Sequence, residues 1–216
     1  MCFNMDIIYQ NNNFVICLKP AGIISQHCGD GKGLADILRQ ELGCEIFPVH
    51  RLDSAVSGVI VFAKNRETAA NLSGDKLNKT YIAVVEGIIP EKDGELFDLL
   101  FHDRTENKAY PVKRKRRGVR EARLEYSVLQ ESEGFSLVRV HPITGRTHQI
   151  RVQFSSRKNP VAGDGKYGSR TKCPIALFCA SLSFSLDEKE YSFTQAPDHN
   201  TFPWSLFTPE RLKTVS

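Results

Sequence analysis

Short apolar runs separated by turn-forming residues recur along the chain, a pattern typical of β-strands. Residues 7–9 and 14–18 flank a turn of glutamine and asparagine and predict a hairpin, which ends where Lys19 is followed by Pro-Ala-Gly. A second hairpin is predicted over 123–140, around a Glu-Ser-Glu-Gly turn. The predicted strands are 7–9, 14–18, 58–63, 79–85, 123–129, 135–140 and 177–186.

Helical spacing of apolar residues is confined to a few segments. Four leucine and isoleucine residues at this spacing predict a helix over about 33–43, which ends at a glycine. Residues 68–76 are also helix-like, and Thr147 can cap a third helix that runs to about residue 157. The acidic stretch 86–98 and the glycine-rich stretch 163–168 predict loops.

Strands grouped in pairs with few helices between them favour an α+β fold with a mixed, mostly antiparallel central sheet flanked by helices and loops. The three prolines of residues 187–216 predict an extended, packed tail. A length of 216 residues fits one large domain or two small ones. Because no linker or internal repeat interrupts the chain, we expect a single domain over 1–216.

Composition excludes several classes of protein. A hydrophobic fraction of 41% with 25% charged residues is ordinary for a globular chain, and no apolar run approaches a membrane span. The N-terminal residues lack the pattern of a secretory signal, so we expect a cytoplasmic protein. Six cysteines include no Cys-x-x-Cys pair, and Cys17 and Cys179 lie in apolar segments, which predicts buried, reduced thiols.

The net charge of +4 is unevenly distributed along the chain. Residues 113–123 hold seven cations and one anion, so the rest of the chain is slightly acidic. A basic segment in an otherwise acidic chain favours contact with a polyanion such as a nucleic acid. The alternative is a solvated loop that has no partner.

Reactive side chains concentrate in residues 50–58, 79–81 and 144–151. Asp53 follows an apolar residue and precedes a buried strand, which predicts a partly desolvated carboxylate at a strand entry. Such a carboxylate stays ionised only when a cation or hydrogen bonds support it, and arginine is a suitable partner. Arg51, Arg146 and Arg151 are the candidates. The alternative is an aspartate that caps a turn beside a surface arginine.

Other catalytic chemistries lack their motifs. His50, His148 and Asp53 could imitate a metal site, but no zinc-binding spacing occurs, so we expect no metal. The glycine-rich stretch 29–33 is too short for a phosphate-binding loop, and no serine-hydrolase elbow is present. Tyr81, on propensity alone, is a packing residue of a strand.

Taken together, these segments resemble the motifs of the RluA family of pseudouridine synthases. The family's first signature appears as His-Arg-Leu-Asp, a small-residue stretch, Ser-Gly and an apolar strand at residues 50–64. Its second appears as Lys-Thr-Tyr and an apolar strand at 79–87, and its third as Thr-Gly-Arg-Thr-His-Gln-Ile-Arg at 144–151. Weaker family features occur at 19–22 and 159–168. The motifs occur in the family's order.

The resemblance implies isomerisation of uridine to pseudouridine in RNA, without cofactor or metal. Asp53 would be the nucleophile or base that opens the glycosidic bond of a flipped-out uridine, by attack at C1′ or through a glycal. Arg151 would be its counter-ion, and Tyr81 would stack on the uracil. Arg51 would fill the gap that the uridine leaves. The residues expected to bind the RNA are His50, Arg51, Leu52, Lys113, Arg114, Lys115, Arg116, Arg117, Arg146 and Thr147.

The resemblance spans roughly residues 7–186 and implies two half-sheets that flank an RNA-binding cleft. It leaves no room for the S4-type RNA-binding module of some relatives, so we expect a stand-alone catalytic domain. The expected partner is a stem-loop of ribosomal or transfer RNA, and the expected state is a monomer. Two alternatives are an RNA chaperone that keeps the fold, and a small-molecule hydrolase that uses Asp53 with a histidine.

Overall fold

The structure is a computed structural model that describes residues 5–29, 32–74 and 76–213. Part of the glycine-rich stretch 29–33 therefore lies outside the described residues. The strands are β1 (Ile7–Gln10), β2 (Phe14–Lys19), β3 (Phe47–Pro48), β4 (Ser57–Ala63), β5 (Asn78–Glu86), β6 (Asp93–Asp103), β7 (Lys108–Val112), β8 (Val119–Ser132), β9 (Phe135–Pro142), β10 (Leu177–Leu186) and β11 (Lys189–Thr194). The α-helices are α1 (Leu34–Leu42), α2 (Arg66–Leu72), α3 (Gln149–Ser155) and α4 (Pro209–Leu212).

The chain divides into two compact units. The first unit contains the chain up to Lys79 together with Cys179–Gln195, and the second contains Thr80–Phe178 with the chain from Ala196 onwards. Strands dominate both units and helices are few, so the fold class is α+β as predicted. The single domain with an RNA-binding cleft stays a prediction.

Antiparallel pairing organises the first unit. β1 pairs with β2 and β2 with β4, while β3 also pairs with β4 and β11 pairs with β10. Alternate residues of β2 and β4, such as Phe14, Ile16, Val59 and Val61, are fully buried in one apolar cluster. Phe184 of β10 joins the cluster through an edge-to-face contact with Phe14, at 5.2 Å between ring centroids.

The second unit is an antiparallel sheet in the order β5-β9-β8-β6-β7. Val140 of β9 lies opposite Tyr81 on one side and Tyr126 on the other, which sets the register of the central strands. Val152 of α3 and Tyr167 pack against apolar residues of β6, β7 and β8 in a second core cluster. This packing places α3 and the turn that contains Tyr167 on one face of the sheet.

Helix α1 confirms its prediction, and α2 corrects one. The chain leaves α1 at Gly43, which has a positive φ of 62° that glycine adopts without strain. Helix α2 begins at Arg66 because the Asn65 side chain accepts a hydrogen bond from the Thr68 N–H at 2.8 Å. It ends at Leu72, so the prediction of a helix over 68–76 was displaced toward the C-terminus.

The predicted loop over 86–98 was wrong for its second half, because β6 begins at Asp93. Leu96 and Leu100 are buried on one face of β6, but Asp98 lies between them on that face and obscures the apolar pattern. Asp98 is accommodated there by an ion pair with Arg157 at 2.8 Å. Strand β7, which pairs with β6, was also missed.

The basic segment is only partly a loop. Residues 113–118 connect β7 to β8, but β8 begins at Val119 and includes the last residues of the segment. The predicted hairpin over 123–140 is therefore confirmed with a first strand that starts four residues earlier. Burial alternates along β8 only from Ala122 to Tyr126, while the residues from Val119 to Glu121 join the strand by pairing with β6.

The predicted cap of α3 was wrong. The residue before the helix is His148, with a positive φ of 54°, and not Thr147. The Gln149 side chain folds back to accept hydrogen bonds from the Arg146 N–H at 3.0 Å and the Thr144 hydroxyl at 2.8 Å. The first residue of the helix thus accepts the hydrogen bonds of two donors in the preceding turn. The helix ends at Ser155 rather than near residue 157.

The region after β10 is more structured than the predicted extended tail. It contains β11, a 3-10 turn at Trp204–Leu206 and α4, whose first residue is Pro209. Trp204 and Phe207 are buried, and the Thr208 N–H donates to the Gln130 side chain. The part of the tail that follows β11 therefore packs within the second unit. The predicted packing is confirmed, and the extended conformation is not.

Two expectations from composition can be compared with the structure. Cys17 and Cys179 are buried as predicted, and burial raises the pKa of the Cys17 thiol to about 12. Within the described residues, no helix has both the length and the apolar character that a bilayer crossing requires.

Candidate functional site

Asp53 lies in a short loop (residues 52–56, the Asp53 loop) that leads into β4. Its side chain is half-buried, and its main-chain carbonyl accepts a hydrogen bond from the Val56 N–H at 3.0 Å, which closes a tight turn. The Ser25 hydroxyl donates to the Leu52 carbonyl at 2.8 Å and accepts from the Leu52 N–H at 3.1 Å. The loop is thus held through its backbone, as expected for a carboxylate at a strand entry.

A buried lysine supports the same loop. Lys19, at the end of β2, has no exposed surface, and its ammonium donates to the carbonyls of Pro20 at 2.9 Å, Ser54 at 3.1 Å and Val56 at 2.7 Å. Burial lowers its pKa to about 8, and the negative charge of Asp53 opposes that shift. From the sequence, Lys19 was predicted to end a strand and to begin a weaker family feature, but not to support the loop. A lysine that closes an apolar strand and precedes proline was the available signal, because buried lysines require partners.

Gly58 shows how closely the start of β4 is packed. Its φ is 128°, and a Cβ at this position would lie 2.4 Å from the backbone nitrogen and oxygen of Cys179. Only glycine permits this approach of two strands. The chain therefore enters β4 directly after the Asp53 loop with its direction set by backbone contact.

His50 and Leu52 have packing roles beside Asp53. The His50 Nε2 accepts a hydrogen bond from the Val61 N–H at 3.2 Å, and its Nδ1 is buried. Burial lowers the pKa of His50 to about 3, and the positive charge of Lys79 acts in the same direction. Leu52 is buried, while Arg51 between them is exposed. Contact of these three residues with RNA stays a prediction.

Arg151 of α3 is buried and forms a two-point ion pair. Its Nε donates to one carboxylate oxygen of Asp164 at 2.6 Å, and its Nη2 donates to the other at 2.9 Å. The guanidinium carbon lies 5.1 Å from the centre of the Tyr167 ring. Asp164 and Tyr167, the Arg151 cradle, belong to a segment that the sequence predicted to be a loop and a weaker family feature, with no role assigned to either residue. A charged aspartate between two glycines was the available signal.

Tyr167 is itself held at its hydroxyl group. The oxygen accepts a hydrogen bond from the Ala109 N–H of β7 at 2.8 Å and lies 2.9 Å from the His148 Nδ1. The Asp164 carbonyl accepts from the Tyr167 N–H at 3.0 Å and from the Ser169 N–H at 3.1 Å, which closes the turn. The cradle is therefore a rigid element and not an open loop.

The residues of the basic run (residues 113–117) are all exposed. Lys115 pairs with Glu121 at 2.8 Å, and the Arg116 guanidinium lies 5.1 Å from the Phe101 ring centre. Arg146 is also exposed, and its Nε donates to the Glu121 carbonyl at 2.9 Å. Glu121 thus contacts both Arg146 and Lys115 of the basic run. Arg146 and the basic run together form one cationic surface of the second unit.

The structure brings some of the predicted site residues together within each unit. Asp53 lies with Arg51 and Leu52 in the first unit, and Tyr81, Arg146 and Arg151 belong to the second. Tyr81 is half-buried on β5 and Thr147 half-buried before α3. The pairing of Asp53 with Arg151 stays a prediction. Among the described residues, no three His, Cys, Asp or Glu side chains are grouped as metal ligands.

Comparison with known proteins identifies the relatives of the chain. Residues 13–156 match the family described as RNA pseudouridylate synthase. An uncharacterized RNA pseudouridine synthase of Bacillus subtilis is 35% identical over 182 residues, covering 78% of this chain and 59% of that protein. The tRNA pseudouridine synthase C of Vibrio vulnificus is 31% identical over 183 residues, covering 76% of this chain and 74% of that protein.

Solved structures give the same result. Human RNA pseudouridylate synthase domain containing 1 aligns with a TM-score of 0.77 at 25% identity, covering 96% of this chain and 88% of that one. Human RNA pseudouridylate synthase domain containing 4 aligns with a TM-score of 0.76 at 23% identity and shares the fold. The chain spans 59% of the length of the Bacillus relative, so it corresponds to part of that protein.

Proposed function

Because the chain belongs to the RNA pseudouridylate synthase family, we propose that it isomerises specific uridines of RNA to pseudouridine. The observation that carries this proposal is the extent of the family match. Residues 13–156 include Asp53, Tyr81 and Arg151, the three side chains to which the motifs assign the chemistry. The reaction rearranges one nucleoside and consumes no second substrate.

Asp53 would begin the reaction by opening the bond between sugar and base. As a nucleophile its carboxylate would attack C1′, and as a base it would remove the 2′-proton to give a glycal. In both routes the detached uracil rotates and rejoins the sugar through C5, after which the C5 proton is removed. The half-buried position of Asp53, on a loop held by main-chain contacts, supports either role.

Arg151 would act as the counter-ion of Asp53, and Tyr81 would stack on the uracil and assist removal of the C5 proton. A buried guanidinium that already has a fixed orientation is well suited to this task, since its geometry does not have to form during the reaction. The reacting base must be extruded from the base stack of the RNA. The exposed Arg51 would occupy the gap that the uridine leaves in that stack.

The cationic surface of the basic run with Arg146 would bind phosphates of the RNA. All six side chains are exposed, which supports contact with a large polyanion rather than an internal structural role. The proposed substrates are ribosomal or transfer RNA, because relatives are named for tRNA and for the ribosomal large subunit. We further propose that the protein acts in the cytoplasm as a monomer.

Chemical mapping of pseudouridine across total RNA tests the activity. We expect one or a few sites to disappear when the gene is deleted and to return with the wild-type protein but not with Asp53→Asn. Glu45→Gln is the matched control, since it removes an exposed carboxylate paired with Arg39 at 3.0 Å. Restoration of the sites by Asp53→Asn would contradict the catalytic assignment and favour a chaperone, and unchanged RNA after deletion would contradict the activity.

A further inference from the structure

We propose that Asp164 and Tyr167 are positioning residues for the reaction, which set the orientation in which Arg151 presents its charge. This inference rests on the proposed function, because it concerns the residue proposed as the counter-ion of Asp53. The sequence motifs assigned no role to Asp164 or Tyr167. All the contacts that position Arg151 in this way lie within the second unit.

The first step is the geometry of the ion pair. Both oxygens of Asp164 are engaged by the Nε and Nη2 of Arg151, at 2.6 and 2.9 Å. Two parallel hydrogen bonds fix the plane of a guanidinium as well as its position, which a single bond does not. The edge of the guanidinium that carries Nε is therefore fixed by Asp164.

The second step is burial. The side chains of Arg151 and Asp164 are only 6% and 1% exposed. Separating the pair would leave a buried charge without its partner, which is unfavourable in free energy. We therefore expect the pair to remain formed throughout the catalytic cycle. The ion pair of Asp98 with Arg157, at 18% and 36% exposure, is partly open to solvent and is less constrained.

The third step is the aromatic face. The Tyr167 ring lies 5.1 Å from the guanidinium carbon, so it restricts movement of Arg151 perpendicular to its plane. The ring is held in turn by its hydroxyl, which contacts Ala109 and His148. Gly163 maintains the turn, since a Cβ there would lie 2.5 Å from the carbonyl oxygens of Cys173 and Pro174. The cradle thus fixes both the edge and the face of Arg151.

The test separates turnover from RNA binding. We expect Asp164→Asn, which keeps the shape and removes the charge, to lower the single-turnover rate at saturating RNA at least thirtyfold. Its dissociation constant for the same RNA should stay within twofold of wild type, because Asp164 does not face solvent. Asp98→Asn, the matched control, should keep the rate within threefold. Thermal unfolding of each variant establishes that it is folded at the assay temperature.

The result that would overturn the proposal is a folded Asp164→Asn with a wild-type rate, or one whose rate and RNA affinity fall in parallel. If that variant is unfolded, Tyr167→Leu replaces it, since leucine keeps an apolar side chain and removes the ring. We then expect the single-turnover rate to fall at least fivefold while the dissociation constant for RNA stays within twofold of wild type. Wild-type protein and Asp53→Asn are measured alongside. Absence of product from the wild type would refute the proposed function, whereas an active wild type with unaffected cradle variants would refute this inference alone.

Discussion

The Asp53 loop and the Arg151 cradle hold opposite charges by different means. Asp53 is half-buried, and the loop that carries it is held at its backbone by Lys19 and Ser25. Arg151 is buried, and its own guanidinium is held by Asp164. The first support sets the path of the chain around the carboxylate, whereas the second preorganises the charged group itself. Changing each support in turn tests this difference.

The largest expected effect comes from Asp53 itself. Asp53→Asn retains the size of the side chain but removes the attacking oxygen anion, so we expect the single-turnover rate to fall at least about 10³-fold. RNA binding should stay nearly unchanged, because the backbone contacts of the loop do not involve the carboxylate. Rates measured with saturating RNA and affinities from filter binding check both expectations. A rate within tenfold of wild type would remove Asp53 from the reaction.

Loss of the lysine beneath the loop should mainly affect stability. Lys19→Met leaves the carbonyls of Pro20, Ser54 and Val56 without their donor, which we expect to cost about 3 kcal/mol in the free energy of unfolding. Lys64→Met is the matched control, because Lys64 donates to the Asn11 carbonyl at a less buried position. Urea titration measures both variants, and equal stability losses would show that burial of Lys19 is unimportant.

His50, which neighbours the Asp53 loop, should make stability depend on acid pH. Its pKa is about 3 in the folded protein and ordinarily 6.5, so the unfolded chain binds more protons between these values. The stabilisation is complete above pH 6.5 and is lost as pH falls, by about 2 kcal/mol at pH 5. His50→Gln should reduce this slope in urea titrations at pH 7, 6 and 5. A steeper loss in the variant would contradict the burial of the ring.

The smallest expected free-energy change concerns the basic run, at the surface of the second unit. Replacing residues 113–117 by glutamine should weaken RNA binding about tenfold at 0.1 M salt and flatten the salt dependence, because fewer counterions are released. Turnover at saturating RNA should remain near wild type, since Asp164 and Tyr167 are held by Arg151, Ala109 and His148. Lys189→Gln serves as a single-charge control on the first unit. An unchanged salt slope would mean that the run does not meet phosphate.

Local sequence was sufficient for much of the fold. Strands β1, β2 and β4 were predicted because their apolar residues are contiguous, β10 because its apolar and polar residues alternate, and α1 because its apolar face and terminal glycine agree. Strand β6 was missed because Asp98 occupies an inward position, which its contacts with Arg157 and Gln153 explain. Likewise, no local rule identifies Gln149 as the residue that satisfies the turn before α3.

For the site, the sequence alone determined which residues are proposed to be catalytic, because Asp53, Tyr81 and Arg151 lie within motifs whose spacing along the chain is distinctive. Tertiary structure alone decided what supports them. Lys19 lies 34 residues before Asp53, and Asp164 lies 13 residues after Arg151. The sequence between them does not predict that Lys19 and Asp164 are buried. Burial is a property of the packed chain, and it changes an ordinary lysine or aspartate into one that must keep its partner.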